Sequence, residues 1–315
     1  MKRLDVVVVG ELNVDLILQD IPSFPELGKE KIAGNMILTM GSASAIFASN
    51  IAKLGLKVGF VGKLGKDSFA DIVLEGLKSR NVETNGILQD EKVKTGITVA
   101  LTFPNDYAMI THMGAMKDFK LEDIDLSYLD KARHLHFASF YLQPGMRPGV
   151  AELFRIAKQK GLTTSFDPGW DPDEKWGSDI LEVLDYTDVF MPNENEAIFI
   201  SGKKNIQDAA EELGKHSKVV MIKLGSKGSL CKTGKETLKT TVFNVNPVDT
   251  TGAGDSFNSG FLYGYVNGKD LKACVMYGSA CGAIATTKIG GTSASPDFNE
   301  MQKFLAGHTE NIFSN

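Results

Sequence analysis

The chain has 315 residues, of which 43% are hydrophobic and 23% charged, a composition typical of globular proteins that excludes a disordered or fibrous one. Its 34 basic and 39 acidic residues give a net charge of −5, which argues against nucleic acid or an anionic membrane as partner. The 3 cysteines contain no CxxC pair, no apolar stretch approaches a membrane span, and the first residues do not resemble a signal peptide. We therefore expect a cytoplasmic protein.

The first predicted element is a buried strand at Val6–Val9, a β-branched run of the kind found inside parallel sheets. Residues 12–19 then alternate between apolar and polar, which predicts a half-exposed strand, and a second extended run covers residues 31–40. The other elements predicted in this half are helices at 44–54 and 67–79 and strands at 57–61, 98–103 and 107–111, the last two joined by a turn at 104–106.

From residue 134 onward, predicted strands and helices alternate regularly. This alternation predicts a mostly parallel, doubly wound sheet with helices on both faces, which is a three-layer αβα fold of the α/β class in a single domain over residues 1–315. The strands are expected at 134–140, 162–166, 188–191 and 218–224, and the helices at 148–160, at 180–184, from Asn193, at 254–266 and at 271–287.

The early alternating strands do not fit this sheet. We interpret them as a small β element inserted into the domain at about 12–20, 31–40 and 97–112. An insertion that projects from an α/β sheet is a candidate lid over a ligand site.

The most informative stretch is Asp-Thr-Thr-Gly-Ala-Gly-Asp at residues 249–255, directly before a predicted helix. Small residues let the backbone approach a ligand, and the unpaired amides of a first helical turn bind anions such as phosphate. Asp255 would lie beside that anion with a carboxylate free to accept a proton. Taken alone, Gly-Ala-Gly-Asp also fits a stabilising acidic residue in a first turn.

The complete string resembles the C-terminal signature of the ribokinase (PfkB-type) family of small-molecule kinases. Further motifs extend the resemblance over nearly the whole chain. They are the first strand with its substrate-binding Asp (10–15), the glycine-rich signature with its helix (41–55), the Asn-x-x-Glu motif (191–196), the turn under the nucleotide (223–228), and the helix and loop closing over adenine (280–291).

The resemblance implies ATP-dependent phosphorylation of a hydroxyl group. Asp255 would be the general base, and the amides of Gly252, Ala253 and Gly254 would hold the charge of the transferred group. Mg²⁺ would be bound by Glu196 through water, and a monovalent cation such as K⁺ near Asp249 and Thr251. The substrate-binding residues would be Asp15, Asn13, Gly41 and Ser42, and the nucleotide-binding residues Asn193, Glu196, Lys223, Gly225, Lys227, Gly228 and Cys281.

Some of these residues have a structural alternative. Asn193 and Glu196 have the spacing of a capping box, a role compatible with a magnesium site. Gly225 and Gly228 also suit a hairpin. His134 and His136 share one face of a strand, and we favour structural histidines over a zinc site because no third ligand lies near.

The chain departs from the family where the sugar usually binds. Ser42 replaces the second glycine of the glycine-rich signature, Ile46 stands where an Asn is usual, and residues 167–171 read Asp-Pro-Gly-Trp-Asp in place of an Asp-Pro-Asn-x-Arg-like segment. No basic residue occupies the implied pocket positions, so an anionic substrate would lack its usual partner, although the distance of Arg147 is left open. Trp170 could supply an apolar wall.

We therefore predict a kinase of a neutral sugar or cyclitol, with a nucleoside as the second choice and a homodimer joined through the lid strands. The alternative is a non-catalytic nucleotide or sugar sensor on the same fold, against which the retained Asp255 argues. A nicotinamide oxidoreductase would need GxGxxG after Val6–Val9, and a P-loop NTPase would need GxxxxGK followed by Ser or Thr; the chain has neither.

Overall fold

The structure is a computed structural model that describes residues 3–103, 106–234, 236–288, 294–308 and 312–314. Its strands are β1 (Val6–Val9), β2 (Asn13–Gln19), β3 (Asn35–Met40), β4 (Val58–Gly65), β5 (Glu83–Asp90), β6 (Gly96–Thr102), β7 (Tyr107–His112), β8 (His134–Ala138), β9 (Thr163–Asp167), β10 (Val189–Phe190), β11 (Val219–Lys223), β12 (Ser229–Thr233), β13 (Glu236–Thr240) and β14 (Phe313–Ser314). Its helices are α1 (Ala43–Lys53), α2 (Ser68–Ser79), α3 (Ala115–Asp118), α4 (Val150–Gln159), α5 (Asp179–Leu184), α6 (Glu194–Ser201), α7 (Ile206–Leu213), α8 (Ala253–Val266), α9 (Leu271–Ala285) and α10 (Phe298–Gly307).

The central sheet has the strand order β14-β13-β12-β11-β10-β9-β8-β1-β4-β5. The strands from β11 to β5 are parallel, and β12, β13 and β14 extend one edge antiparallel. Alternate residues of β1 enter two different cores: Val7 packs with Phe154 of α4, and Val8 packs with Phe47 of α1 and Phe261 of α8. Helices thus cover both faces, and the predicted three-layer α/β class is confirmed.

A second sheet, which we call the small sheet, has the order β3-β2-β6-β7. Residues in register across it alternate between two faces. Leu16, Leu38, Val99 and Ile110 form a row on the apolar face. On the other face Thr39, Asp15, Thr98 and Thr111 form a polar row beside an apolar row of Ile37, Ile17, Ala100 and Met109, and we call this the polar face after the first row.

The predicted strands of the small sheet are present, with changed bounds. The predicted strand at 31–40 begins only at Asn35, because residues 20–34 form a loop whose base closes where the Gly34 amide donates to the Gln19 carbonyl oxygen at 2.9 Å. The strand expected at 98–103 starts earlier, at Gly96. Residues 104 and 105 of the predicted turn lie outside the described residues.

Several elements have no clear signal in the sequence. β5 is an edge strand with mixed polarity whose Gly86 approaches β4 closely, since a Cβ there would lie 2.7 Å from the Phe60 carbonyl oxygen. β12, β13 and α7 were not predicted, and α4 begins at Val150, not residue 148, because 147–149 form a 3₁₀ turn. None of the helices in the described ranges combines the length and apolarity needed to span a bilayer.

Three of the four ring nitrogens of the buried histidines of β8 have hydrogen-bond partners among neighbouring hydroxyls, and His136 Nε2 has none among the described residues. His134 Nε2 and His136 Nδ1 both lie 2.7 Å from Ser165 Oγ, and His134 Nδ1 lies 2.7 Å from Thr163 Oγ1. Burial lowers the pKa of His134 to about 3, so both rings are held as neutral hydrogen-bonding groups. They help to fix the first half of β8 against the first half of β9.

Candidate active site

The first turn of α8 has the geometry of an anion site. Gly252, the residue before the helix, has a φ of +71°, a conformation that strains a side chain. The turn closes through a hydrogen bond from the Ala253 amide to the Thr250 carbonyl oxygen at 3.2 Å. First-turn amides have no carbonyl partner inside the helix, so the amides of residues 252–255 are the predicted phosphate site, although that of Ala253 already donates within the turn. Asp255 lies in the same turn.

The carboxyl group of Asp255 has an unusual electrostatic environment. Burial, followed by the negative charge of Asp167, raises the pKa of Asp255 well above its usual range, against the opposing charge of Lys223. Glu11 and Glu196 add further contributions that raise it. A carboxylate with a raised pKa is a stronger base, which suits it to accept a proton from a hydroxyl group.

Lys223, the last residue of β11, enters this site from the sheet. Its Nζ lies 2.6 Å from Asp167 Oδ2, which also accepts a 2.6 Å hydrogen bond from Asn258 Nδ2 of α8. Burial alone would lower the pKa of Lys223, but the charges of Asp167 and Glu196 outweigh it and raise the pKa. The lysine is therefore held in its cationic form.

Asn193 and Glu196 form the capping box that their spacing predicts. The Glu196 amide donates to Asn193 Oδ1 at 2.9 Å, and the Asn193 amide donates to Glu196 Oε2 at 2.8 Å. Glu196 is nevertheless buried, and burial together with the charge of Asp167 raises its pKa to about 7. A capping role alone does not require an acidic group so close to the other carboxylates.

The predicted substrate residues lie where β2 and β3 leave the core. Asn13 Nδ2 donates to Thr98 Oγ1 at 2.9 Å and to Asp15 Oδ1 at 3.3 Å. A Cβ on Gly41 would lie 2.1 Å from Asp15 Oδ1, so only glycine fits there. Ser42 caps α1 through its Oγ and donates to the Glu11 carbonyl oxygen at 2.6 Å. Burial raises the pKa of Asp15 to about 6.

Two acidic residues of this site, Glu11 and Asp167, were not among the site residues predicted from the sequence. Glu11 follows β1 and is buried; its Oε1 accepts from the Ser44 amide at 3.2 Å and its Oε2 from the Ser44 hydroxyl. Burial raises its pKa. Asp167 ends β9. A charged residue at the carboxyl end of a buried parallel strand is the signal that could have identified both.

The predicted nucleotide turn connects β11 to β12. Residues 225–227 form a 3₁₀ turn, and Gly228 has a φ of +97°, so these glycines serve the connection itself. Lys227 is exposed, and its Nζ lies 2.9 Å from Glu194 Oε2. The Cys281 side chain, by contrast, is buried in an apolar cluster with its Sγ 3.5 Å from Met301 Sδ, so only its backbone is left for a nucleotide contact.

Two further predicted features are only partly described. The Thr251 amide donates to Asp249 Oδ1 at 2.9 Å, so the proposed cation-binding residues are adjacent. The loop that the resemblance places over adenine ends with Gly290 and Gly291. These two glycines fall at residues 289–293, outside the described residues.

The other residues singled out for the substrate pocket have partners elsewhere. Arg147 is paired with Asp179, with Nη2 2.8 Å from Oδ1. Trp170 is 43% exposed and packs edge-on against Trp176 and Phe199 in an aromatic cluster. A cavity of about 470 Å³ instead begins at Thr111 on the polar face of the small sheet; its lining includes Lys94, His112, Lys117 and Asp118.

The residues present are suited to Mg²⁺ bound with a nucleotide. In the described part of the chain, no group of three or more His, Cys, Asp or Glu side chains is arranged to hold a metal by itself. Mg²⁺ usually needs only one or two carboxylates, because phosphates and water supply its other oxygen ligands. Glu196 offers such a carboxylate, whereas the carboxylate of Asp167 already accepts hydrogen bonds from Lys223 and Asn258.

The comparisons with known proteins identify the class to which this fold and site belong. A family model described as pfkB family carbohydrate kinase matches residues 3–297. The chain therefore belongs to the pfkB family of carbohydrate kinases, which confirms the resemblance noted in its motifs and makes it a kinase.

Individual relatives resemble the chain over almost its whole length. Fructokinase-2 of Solanum lycopersicum is 29% identical over 321 residues, which cover 96% of this chain and 96% of that protein. The 5-dehydro-2-deoxygluconokinase of Geobacillus thermodenitrificans is 28% identical over 325 residues, which cover 96% of this chain and 94% of that protein. A protein from E. coli described as ribokinase II, solved with ATP and Mg²⁺, superposes with a TM-score of 0.85 at 25% identity, covering 97% of this chain and 100% of that one.

We expect Asp255→Asn to fold and to bind ATP, but to lose about 10²- to 10⁴-fold in kcat, because a general base typically contributes that much. Steady-state kinetics on the purified variant measure this loss. Asp71→Asn is the matched control, because Asp71 is an acidic residue in the first turn of α2. A kcat within a few-fold of wild type would show that Asp255 is not the base.

The same variant should change stability in a pH-dependent way. A raised pKa means that folded Asp255 holds its proton more tightly than the unfolded chain does, so its stabilising contribution exists at low pH and is lost as the pH rises through the folded pKa. Asp255→Asn should therefore raise the melting temperature at pH 7 and leave it nearly unchanged near pH 4. Thermal melts at both pH values decide the sign.

Proposed function

We propose that the protein phosphorylates a hydroxyl group of a small neutral sugar or cyclitol with ATP as the donor. The observation on which this rests is the first turn of α8, where Asp255, with its raised pKa, lies among the anion-binding amides and near the charge of Lys223. The substrate strand β2 supports it, because Asp15 and Asn13 lie on the polar face of the small sheet.

The transfer follows from these positions. The acceptor hydroxyl oxygen attacks the γ-phosphorus of ATP, a new oxygen–phosphorus bond forms, and the bond to the β,γ-bridging oxygen breaks, so that ADP leaves with its electron pair. The hydroxyl proton passes to the carboxylate of Asp255. The amides of residues 252–255 donate to the oxygens of the transferred group, where charge is concentrated in the transition state.

We also propose that the cofactors are ATP and Mg²⁺, as in the related E. coli structure. When bound, Mg²⁺ would bridge and neutralise phosphate oxygens of the nucleotide. Glu196 would reach it through water, and Asn193 would orient Glu196 through the capping box. Asp249 and Thr251 are the proposed residues for a monovalent cation such as K⁺, and the turn at residues 223–228 is the proposed support for the nucleotide.

A neutral substrate suits the residues near the reacting group. Asp15 and Asn13 offer a carboxylate and an amide to hydroxyl groups, and Arg147 is engaged by Asp179. A nucleoside is the second choice within the same chemistry. A non-catalytic sensor is disfavoured, because a binding protein has no need of a buried base.

The cavity beside Thr111 favours a different candidate, a sugar acid. Lys94, His112 and Lys117 on its lining outnumber Asp118, and such groups would hold a carboxylate at the far end of a substrate. Thr111 Oγ1 lies 3.0 Å from Thr98 Oγ1, which accepts from Asn13 Nδ2, so one lining residue of the cavity is linked by hydrogen bonds to the substrate strand.

We further propose that the small sheet is a lid. Its polar face bears the substrate residues, and closing that face over the first turn of α8 would exclude water, which would otherwise compete with the acceptor hydroxyl. On the opposite, apolar face, Met36, Leu38 and Ile110 expose 60%, 39% and 65% of their surface to solvent. A second copy of the chain is the occupant that we propose for this face, because a two-fold axis pairs a flat apolar face with itself.

A coupled ADP-release screen distinguishes the substrates. We expect at least one neutral sugar or cyclitol to exceed every sugar acid and sugar phosphate in kcat/KM. If a sugar acid is instead the best substrate by tenfold, the neutral assignment is wrong, and Lys94→Ala with Lys117→Ala should then raise its KM without affecting neutral compounds. Substrate-independent ADP release, or none at all, would contradict a kinase of these compounds.

Hydrogen exchange tests the lid. With the best acceptor and a non-hydrolysable ATP analogue, amides of β2, β3, β6 and β7 should exchange more slowly than in the free protein, because closure buries them. α4, which packs against α5 and β9, is the internal control. Equal exchange in the small sheet with and without ligands would rule out closure.

Light scattering coupled to size-exclusion chromatography tests the dimer. We expect the wild type to have twice the mass of one chain. The double variant Leu38→Lys, Ile110→Lys should have the mass of one chain, because dimerisation would remove two charged lysines per subunit from water. Tyr186→Lys is the control variant, because it places a lysine at an exposed aromatic residue outside the small sheet. A wild type that is monomeric at micromolar concentration contradicts the proposal.

A further inference from the structure

Lys223 is the cation of the candidate site, and the mechanism above does not use it. Its side chain is only 14% exposed, and its Nζ lies 2.6 Å from Asp167 Oδ2. The Lys223 amide also donates to the Pro192 carbonyl oxygen at 3.0 Å, which fixes the end of β11 beside the start of α6. A buried ion pair of this kind contributes little net stability over an apolar pair, so its presence calls for another explanation.

The lysine reaches the anion site itself. A Cβ on Gly254 would lie 3.8 Å from Lys223 Nζ and 3.9 Å from its Cδ. The ammonium group is therefore in contact distance of the first turn of α8, whose amides are the proposed cradle for the transferred group. The ammonium group of Lys223 and the amide groups of the first turn of α8 therefore lie close together.

The charges around Lys223 favour the same role. Its charge acts on Asp167, Glu196 and Asp255, all of which are acidic, and a phosphoryl group would bring more negative charge into their midst. Asp167 would not be left unpaired if the ammonium turned towards that group. Its Oδ2 keeps the hydrogen bond from Asn258, and its Oδ1 accepts from the Gly169 amide at 3.2 Å.

We propose that Lys223 is a catalytic residue whose ammonium contacts the phosphoryl group in transit from ATP to the acceptor, and that Asp167 is the positioning residue that holds it beside the first turn of α8. The inference rests on the proposed kinase function. No bond to Lys223 forms or breaks: the acceptor oxygen bonds to the γ-phosphorus, ADP leaves with the electron pair of the broken bond, the proton goes to Asp255, and Lys223 donates hydrogen bonds to the equatorial oxygens throughout.

The test compares the affinity for MgADP with the affinity for MgADP plus aluminium fluoride, a planar mimic of the phosphoryl group in transit. Titration calorimetry on the full chain gives both dissociation constants without any acceptor. In the wild type, aluminium fluoride should tighten MgADP binding. Lys223→Met should reduce that tightening by about 10- to 100-fold, the value of a charged hydrogen bond, and should weaken the binding of MgADP alone by a smaller factor, because Lys223 begins the turn proposed to support the nucleotide.

Two further variants make the result specific. Lys232→Met is the matched control, since Lys232 is also a buried lysine paired with a carboxylate, Glu211, but lies on β12; it should keep the full tightening. Asp167→Asn keeps the lysine and removes the charge that holds it, so it should reduce the tightening by a smaller factor, about 3- to 10-fold. If Lys223→Met fails to fold by circular dichroism, Asp167→Asn decides.

Other outcomes overturn the inference. Unchanged tightening in Lys223→Met, or in Asp167→Asn where that variant decides, would mean that the ion pair is only structural. An equal loss of affinity for MgADP with and without aluminium fluoride would make Lys223 a general nucleotide contact. A wild type that binds MgADP without any tightening also contradicts it, whereas a wild type that binds no MgADP contradicts the proposed function itself.

Discussion

In a parallel sheet all strands end at the same edge, and the candidate site is built from the residues at those ends. Glu11 follows β1, Asp167 ends β9, Asn193 follows β10 and Lys223 ends β11. The sheet order places β8, β9, β10 and β11 side by side, so groups distant in sequence converge without any long loop. α8 completes the arrangement by pointing its first turn at this edge, where Asn258 bonds to Asp167.

This convergence has an electrostatic cost. Burial raises the pKa of Glu11, Asp15, Glu196 and Asp255 together, which means that the folded chain holds their charges less readily than the unfolded chain does. Lys223 offsets only part of this. Carboxylates crowded in this way serve a reaction better than they serve stability, and cations that arrive with a nucleotide would relieve the repulsion. The free protein is then expected to be less stable than its nucleotide complex.

Much of this arrangement could be predicted from the sequence, because some signals are local. The β-branched run at Val6–Val9, the string ending at Asp255, and the two-residue spacing of Asn13 and Asp15 each place a residue on its element. The pairing of Asp167 with Lys223 could not be predicted, since it depends on the order of strands far apart in the chain. Cys281 is a different case: its position in a matching motif implied a nucleotide contact, and because its side chain packs on Met301 that prediction now concerns its backbone alone.

The chain passes between its two sheets four times, and two of the passages, β1 to β2 and β3 to α1, are short and lie beside or at the proposed substrate residues. Residues 10–12 join β1 to β2, and Gly41 and Ser42 join β3 to α1, with Asp15 packed against Gly41. A rotation of the small sheet relative to the core would therefore bend the chain at or beside residues proposed to hold the substrate, as well as at residues 91–95 and 113–114. A bound substrate would restrict this bending, so that binding of the acceptor and closure of the small sheet over it would be coupled. A poorly bound acceptor would leave the junctions free to bend.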